Sequence, residues 1–321
     1  MYYPYLKGRQ FELLAIKELL ERSLISPLVV PIIEPIKASS TLCNTLQTYA
    51  ECVRPIVPIW HSASEEFYQD FRTTSQDGST KRITDKLHAF IQAPSLMKGI
   101  EITKNSKSII TRYENDGFAR DQWVVLCREY DMLNYYQELF ASMQPQCVII
   151  PDDSPFRRSM RKVANRILID DKFQKQTRNS DYIKNDDEFF SEDHLYFASD
   201  GYKGFSDYSI VGDYDAASGF APKAVAIHIV YIDKNDQTLR IHHFVSDSNE
   251  DIRNTAKKFY EATQKLFYWV ETEKPEITFG LNAFLEHYQN GTYPGLGVVK
   301  KLSIMHHLEL MSRHLTEDGW K

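Results

Sequence analysis

The sequence predicts an α/β protein, a (β/α)8 TIM-like barrel with an appended β-hairpin and C-terminal helices. One basis is the stretch Leu-Val-Val-Pro-Ile-Ile-Glu-Pro-Ile-Lys at 28–37, an apolar run that ends in Glu34 and is followed by Lys37. Such a run, bounded by turn residues, is typical of a strand buried on both faces. Eight runs of this kind alternate with helical segments, and charged or imidazole groups follow them. This pattern is typical of strands that deliver polar groups to one rim.

The eight predicted strands are short apolar runs separated by turn residues or by segments of helical periodicity. They span residues 2–7, 28–34, 54–60, 96–103, 123–127, 147–150, 166–169 and 194–198. Helices are predicted between them at 10–22, 42–52, 81–91, 132–143 and 156–165. An open doubly wound sheet is the competing architecture. It would need fewer strands and usually a glycine-rich first turn, and the chain has no GxGxxG.

The chain changes character after Gly201, so the predicted division is a barrel at 1–200 and an added part at 201–321. Residues 172–193 form a polar connection that we expect to be exposed. Residues 224–232 and 239–245 alternate well and predict an antiparallel hairpin. Helices are predicted at 251–271, 282–289 and 300–315. The two parts are expected to form one structural unit.

Composition restricts the class of protein. The formal net charge is −6 over 321 residues, so a dedicated nucleic-acid binder is not indicated, although a local basic patch stays open. One such patch is Arg157, Arg158 and Arg161 on a predicted helix, which is otherwise a solvated outer helix of the barrel. The four cysteines have no metal-site spacing. No apolar stretch approaches a membrane span and the N-terminus lacks the order of a signal peptide, so a cytoplasmic location is expected.

Five residues at strand ends are the candidate catalytic groups: Glu34, Lys37, His61, Glu101 and Asp170. The three acids each end an apolar strand, where an unpaired charge is costly to desolvate. They are therefore predicted to hold a divalent cation, Mg²⁺ or Mn²⁺, while Lys37 and His61 bind an anion or shuttle a proton. The alternative is ordinary, since charges at strand ends also meet solvent or cap the next helix.

Seven further residues are candidate ligand-binding groups: Lys7, Arg9, Arg128, Asp207, Tyr208, Asp213 and Tyr214. Lys7 ends a predicted strand, and Arg9 and Arg128 each follow one. The others form two Asp-Tyr pairs, the second beside a glycine, which could serve as a ligand loop over the barrel mouth. The alternative is a turn rich in Asp and Gly that forms for conformational reasons.

Three short motifs resemble one protein family. The opening Tyr-Tyr-Pro-Tyr-Leu-Lys-Gly-Arg, the later Pro-Ile-Ile-Glu-Pro and the Phe-Ser-Asp-Tyr-Ser-Ile-Val-Gly-Asp-Tyr at 205–214 are similar to the bacterial and phage "beta protein" family. The likeness is greatest to an uncharacterised bacterial branch named after a myxobacterial locus tag. It implies a barrel-like fold but no settled reaction. It also implies a place in mobile or anti-phage defence gene neighbourhoods, beside a small companion protein.

Two functions follow as hypotheses. The first is a metal-dependent hydrolase acting on a phosphodiester or nucleotide-like substrate, because acids and bases recur at the strand ends. The second is a non-catalytic barrel or sensor that binds a partner protein, such as a small companion protein, or a phage component. A homo-oligomer stays open as well. Its basis is the hairpin and the high aromatic content, with 19 Tyr and 18 Phe.

Overall fold

The barrel core follows from strands that are apolar on both sides. The computed structural model describes residues 1–61, 67, 78–93, 96–213, 222–316, 319 and 320. Eight parallel strands form one sheet in the order β1-β2-β3-β4-β5-β6-β7-β9. These strands are β1 (Tyr5–Leu6), β2 (Ile32–Ile33), β3 (Val57–His61), β4 (Lys98–Glu101), β5 (Trp123–Leu126), β6 (Cys147–Pro151), β7 (Arg166–Asp170) and β9 (Gly204–Asp207). The predicted (β/α)8 barrel is confirmed.

The first and last strands are joined at the N-terminus. The Tyr3 amide donates to the Phe205 carbonyl at 2.8 Å, and the Phe205 amide donates to the Met1 carbonyl at 3.1 Å. Tyr2 forms a parallel bridge with Phe205, and the two rings stack at 5.1 Å. These contacts bring the ends of the sheet together around the barrel axis.

Alternation along the strands divides the core into two layers. Side chains such as Tyr5, Ile32 and Ile59 fill the inside of the barrel. Their neighbours Leu6 and Ile33 belong to the larger outer core under the helices. The helices of this part are α1 (Gln10–Glu21), α2 (Ser40–Glu51), α3 (Gly78–Gln92), α4 (Ser106–Asn115), α5 (Leu133–Leu139), α6 (Ser154–Met160) and α7 (Asp193–Tyr196). Short 3-10 turns lie at Arg120–Gln122, Tyr130–Met132 and Asn179–Asn185.

The predicted eighth strand at 194–198 is wrong, because Asp193–Tyr196 is a short helix and the strand is Gly204–Asp207. The last barrel strand therefore lies beyond residue 200. Gly204 suits this position because a Cβ there would lie 2.6 Å from the Met1 carbonyl oxygen. A four-residue strand containing Gly, Ser and Asp has the composition of a turn, which is why its pattern was missed.

The predicted hairpin forms, and it gains a third strand. Strand β10 (Ala226–Ile232) pairs antiparallel with β11 (Leu239–Val245), and β11 pairs with β8 (Asp187–Ser191). The connection at 172–193, which we expect to be exposed, thus supplies a strand. The sheet packs on α8 (Thr255–Glu273) and α10 (Leu296–His314), and α9 (Phe279–Gln289) packs against both of these helices.

Helix α10 docks the added part on the barrel. It packs against α1, and Lys300 and Lys301 reach Glu12 and Glu18 of that helix at 2.6 Å each. The chain then forms a small two-stranded ribbon, β12 (Leu315–Thr316) with β13 (Gly319–Trp320). None of the helices described in the structure is both long and apolar enough to cross a bilayer.

Candidate functional site

At the C-terminal ends of several barrel strands, the last apolar residue that faces the barrel interior is followed, two residues later, by a polar one. Inside the barrel, Tyr5, Ile32 and Leu126 are core residues. Two residues farther along the same strands lie Lys7, Glu34 and Arg128, and the period of two turns them toward the barrel axis as well. We call the set of Lys7, Glu34, Glu101, Arg128, Tyr208 and Asp213 the mouth cluster, and ion pairs and hydrogen bonds connect its members.

The first half of the mouth cluster is centred on Glu34. Its Oε2 accepts from the Tyr5 hydroxyl at 2.8 Å and lies 3.0 Å from Lys7 Nζ. Burial, and then the charges of Glu34 and Glu101, raise the pKa of Tyr5 well above its ordinary value, although Arg128 opposes this. Burial works against a charged Lys7, but Glu34 and Asp213 outweigh it and raise the pKa of Lys7. Tyr5 and Lys7 are therefore both donors at neutral pH.

The second half is centred on Arg128, two residues beyond β5. Its Nε and Nη2 donate to Glu101 Oε1 at 3.0 and 2.6 Å. Its Nη1 donates to the Tyr208 hydroxyl at 3.1 Å, and the guanidinium lies over the Tyr5 ring at 5.4 Å. Burial opposes the charge of Arg128, and the negative partners still raise its pKa. Arg128 is thus a fixed cation with its planar group held by three side chains.

Asp213 connects the two halves. Its Oδ1 lies 2.9 Å from Lys7 Nζ and its Oδ2 lies 3.6 Å from Arg128 Nη1. Unlike the other members, Asp213 is 40% exposed, and it belongs to the segment after β9 rather than to a strand end. One carboxylate therefore bridges two cations that come from opposite sides of the barrel, β1 and β5.

The backbone around Asp213 is anchored by Asp171, which follows β7. The Asp213 amide donates to Asp171 Oδ2 at 2.8 Å, and the Phe173 amide donates to Asp171 Oδ1 at 3.1 Å. Gly212 has φ +76°, in the left-handed region that favours glycine. Burial, and then the nearby negative charges, raise the pKa of Asp171 against the two amide contacts.

Asp170 does not join the mouth cluster. It is 52% exposed, and its carboxylate lies 2.9 Å from Lys172 Nζ, which also binds Asp193. In a strand whose inward residues are Ile167 and Ile169, position 170 falls on the other side. The structure therefore does not bring the three predicted metal ligands Glu34, Glu101 and Asp170 together. Within the described ranges, no group of three His, Cys, Asp or Glu side chains is placed to hold a metal ion.

Several other predicted site residues lie elsewhere. Arg9 caps α1 and pairs with Glu12 at 3.7 Å, and Lys37 is exposed. Asp207 turns to the outer layer, where its Oδ1 accepts from the Tyr2 hydroxyl and the Ser209 amide at 2.7 Å each. Burial raises the pKa of Asp207 to about 6 against these two bonds.

Two predicted residues fall outside what the structure describes. His61 is the last residue of β3, but its side chain lies outside the described part, and Tyr214 lies outside it entirely. Tyr5 and Asp171 belong to the site but are not among the predicted catalytic or ligand-binding residues. Tyr5 lies two residues before Lys7 and Asp171 two residues after Ile169, so the period of two places each of them on the inward face.

A second polar cluster lies on the three-stranded sheet. His228 Nδ1 and His243 Nδ1 lie 2.8 Å apart, and His243 Nε2 lies 3.2 Å from Glu188 Oε1. His242 faces the other side of its strand, where it stacks on Trp269 at 5.5 Å. His242 and His243 therefore face opposite sides of the sheet, as alternation along a strand requires.

The mouth cluster can bind and orient an anion and offers carboxylates for proton transfer. Lys7 and Arg128 supply positive charge, while Glu34 and Glu101 are fixed beside them. Both bonds described for Glu34 reach its Oε2, and Oε1 has no further partner among the residues that the structure describes. No protein-family model matches the chain, and no curated protein has a matching sequence.

Proposed function

We propose that the mouth cluster binds the anionic group of a small molecule between Lys7 and Arg128, and that the protein is a hydrolase of phosphodiester or nucleotide-like substrates. The observation that carries the proposal is the bridging carboxylate of Asp213, at 2.9 Å from Lys7 and 3.6 Å from Arg128. The Asp213 carboxylate, with one oxygen toward each cation, is an anion that already fits between Lys7 and Arg128. A phosphoryl group has the same feature and would be bound by the same two cations.

In this proposal Glu34 is the general base. Its Oε2 is held by Tyr5 and Lys7, which fixes the carboxylate, and Oε1 is the oxygen that would accept a proton from the attacking water. The water oxygen would bond to phosphorus as the ester P–O bond breaks, and the leaving oxygen would take a proton from solvent. Arg128, held by Glu101 and Tyr208, would stabilise charge on the phosphoryl oxygens. Positioning and charge supply most of what phosphoryl transfer requires of a protein.

In the proposed reaction Lys7 and Arg128, rather than Mg²⁺ or Mn²⁺, supply the positive charge. Glu34 and Glu101 hold cationic side chains, and Asp170 binds Lys172 on the outer side of β7. A divalent cation at Glu34 and Glu101 would have to replace Lys7 or Arg128 as their counter-ion. Assays with added metal or with chelator therefore belong in the test.

The test is hydrolysis of bis(p-nitrophenyl) phosphate and p-nitrophenyl phosphate by the full chain, with Mg²⁺, Mn²⁺ or EDTA. Lys7→Met and Arg128→Met should each abolish turnover and anion binding measured by calorimetry. Arg157→Met, which removes an exposed guanidinium paired with Asp152 on the outer helix α6, is the matched control. Equal activity in all four proteins, or no anion binding by the wild type, would refute the proposal.

A second candidate function is partner binding, and one surface favours it. An aromatic ladder runs along α8 and α9: Tyr260, Tyr288, Phe267 and Tyr268, with ring centroids 5.0, 5.0 and 5.9 Å apart in that order. Tyr260 and Tyr268 are 44% and 60% exposed. Aromatic residues of this kind are enriched at protein interfaces.

The partner would be a small companion protein or a second copy of the chain, in line with the beta protein resemblance and its link to anti-phage defence. Light scattering of the wild type and of Tyr260→Ser and Tyr268→Ser tests self-association. Co-expression with the product of the neighbouring gene tests a companion.

All four cysteines are unpaired, which supports a reducing, cytoplasmic setting.

A further inference from the structure

We propose that Ser209 and His307 are positioning residues for the mouth cluster. Their contact holds Tyr208 in place, and Tyr208 in turn holds the guanidinium of Arg128. The inference rests on the proposed function and adds to it, because it makes helix α10 of the added part a component of the site on the barrel. Ser209 is 1% and His307 0% exposed, so neither side chain would touch the substrate.

The first argument is the path of the chain after β9. Tyr208 lies in the inner layer, between Asp207 and Ser209, whose side chains lie on the outer side. Inside the barrel, the Tyr208 hydroxyl accepts from Arg128 Nη1 at 3.1 Å. Outside, Ser209 Oγ lies 3.0 Å from Nδ1 of His307 on α10. A buried hydrogen bond to the added part therefore fixes the chain one residue away from a member of the mouth cluster.

The second argument is that Ser209 is held in an unfavourable backbone conformation. Its φ of +50° lies in the left-handed region, which serine rarely adopts. Its amide donates to Asp207 Oδ1 at 2.7 Å, and its hydroxyl contacts His307. The next turn is closed on Tyr208, whose carbonyl accepts from two amides of that turn at 3.1 and 3.3 Å. Such conformations persist only where surrounding contacts impose them, and they cluster at binding and catalytic sites.

The third argument is that the polar groups at this position are costly for the fold. His307 is fully buried, and within the described part of the chain no hydrogen-bond partner reaches its Nε2. A buried polar atom without a partner is destabilising. Burial also raises the pKa of Asp207 to about 6, so its carboxylate form is unfavourable inside the protein. Polar groups that are kept at a cost to stability are typical of functional positions.

The experiment separates stability from anion affinity. A double variant, Ser209→Gly with His307→Phe, removes both polar partners, suits the positive φ and leaves an aromatic ring beside Phe190. Removal of both partners of a buried hydrogen bond is nearly neutral or stabilising, so the melting temperature should equal or exceed that of the wild type. Calorimetry at pH 8 should show that inorganic phosphate binds the double variant about tenfold more weakly, because Tyr208 and Arg128 are no longer held in place.

Two controls identify the effect of this contact. His307→Asn places an amide where Nδ1 lies, so it can keep the contact with Ser209 and should retain the phosphate affinity. His306→Phe removes a contact of the same chemistry on the same helix, from Nδ1 to the Thr278 hydroxyl at 2.7 Å, which connects α10 to the start of α9. This variant should lower the melting temperature and leave phosphate binding unchanged.

Three outcomes would overturn the inference. If phosphate binds the wild type in a Lys7-dependent way and binds the double variant equally well, Ser209 and His307 have no positioning role, while the proposed function stands. Should the double variant not fold, His307→Asn is compared with His307→Leu, which cannot keep the contact, and equal phosphate affinities of these two variants would refute the role. If phosphate does not bind the wild type, the proposed function fails and this inference fails with it.

Discussion

His306 Nε2 lies 2.6 Å from the backbone carbonyl oxygen of Val230. This contact connects the last long helix to the hairpin. Its Nδ1 lies 2.7 Å from the Thr278 hydroxyl. The neutral ring satisfies both contacts, because Nε2–H donates to the carbonyl and Nδ1 accepts from the hydroxyl. Burial lowers the pKa of His306 to about 4 and that of His307 to about 3.

We predict that stability falls as pH decreases from 6.5 toward 4. In this window the unfolded chain binds a proton at each of these histidines and the folded chain does not, so protonation favours unfolding. For His306 the shift corresponds to roughly 3 kcal/mol at pH 4. Urea midpoints at several pH values measure it. His306→Gln should flatten the profile.

Glu34→Gln is predicted to abolish hydrolysis with a small loss of stability. Glutamine still accepts from Tyr5, and Lys7 keeps Asp213 at 2.9 Å. We expect a loss of about 1–2 kcal/mol, below the roughly 3–5 kcal/mol typical of a buried charge left without its partner. Urea unfolding and the hydrolysis assay measure the two effects, with Glu21→Gln, at an exposed pair with Lys17, as the control. A fully active variant would contradict the role of Glu34 as the base.

Arg128→Lys is predicted to be severe although it keeps the charge. A lysine cannot reproduce the three contacts to Glu101 and Tyr208 with one planar group. The expected loss is roughly 2–3 kcal/mol, with weaker anion binding. Arg157→Lys on the exposed outer helix is the matched control. Equal melting temperatures for the two variants would mean that the fork geometry of Arg128 is unimportant.

Gly280→Ala should destabilise the added part despite the better helix propensity of alanine. A Cβ at this position would lie 2.3 Å from the Leu302 carbonyl oxygen and 2.8 Å from the His306 amide, both backbone atoms of α10. Helix α9 would have to move away, at a net cost of roughly 1–3 kcal/mol. Thermal unfolding measures this. Asn282→Ala, at an exposed position of the same helix, should have a much smaller effect.

Asp207→Asn is predicted to raise stability above pH 6 and to have no effect below about pH 4. Because burial raises the pKa of Asp207 to about 6, the folded chain is disfavoured as pH rises from 3.8 through 6. Asparagine keeps the oxygen that accepts from Tyr2 and Ser209 and avoids burying a charge. Melting temperatures at pH 4 and pH 8 test the prediction. Lower stability of the variant at pH 8 would contradict it.

The sequence predicts which residues lie at strand ends, but it does not predict which of their side chains face the barrel interior. Four predicted site residues end or follow apolar runs in the sequence and meet at the barrel mouth in the structure: Lys7, Glu34, Glu101 and Arg128. Asp170 also follows an apolar run, but its side chain faces outward. The residue that faces inward at the end of this strand is Asp171. A one-residue difference in a period-two pattern reverses the face. The face of a side chain depends on which residues of its strand point into the barrel, and these residues are identified by the structure.

Contacts that join distant parts of the chain could not be predicted from local patterns. Nothing near Asp213 in the sequence indicates that it meets Lys7 and Arg128. The strand at Gly204–Asp207 was missed because its pairing with residues 1–3, rather than its own composition, makes it a strand. The barrel itself was predictable because six of its strands carry apolar residues on both faces.

The contacts that unite the first and last barrel strands have a consequence for synthesis of the chain. Ser206 donates to the Tyr3 carbonyl at 2.6 Å across 203 residues. A ribosome that adds 5–20 residues per second makes these partners roughly 10–40 s apart. During that interval the edge of the first strand is unpaired and open to other strands, as exposed edges generally are. The barrel can therefore close only after β9 has been synthesised, more than halfway along the chain.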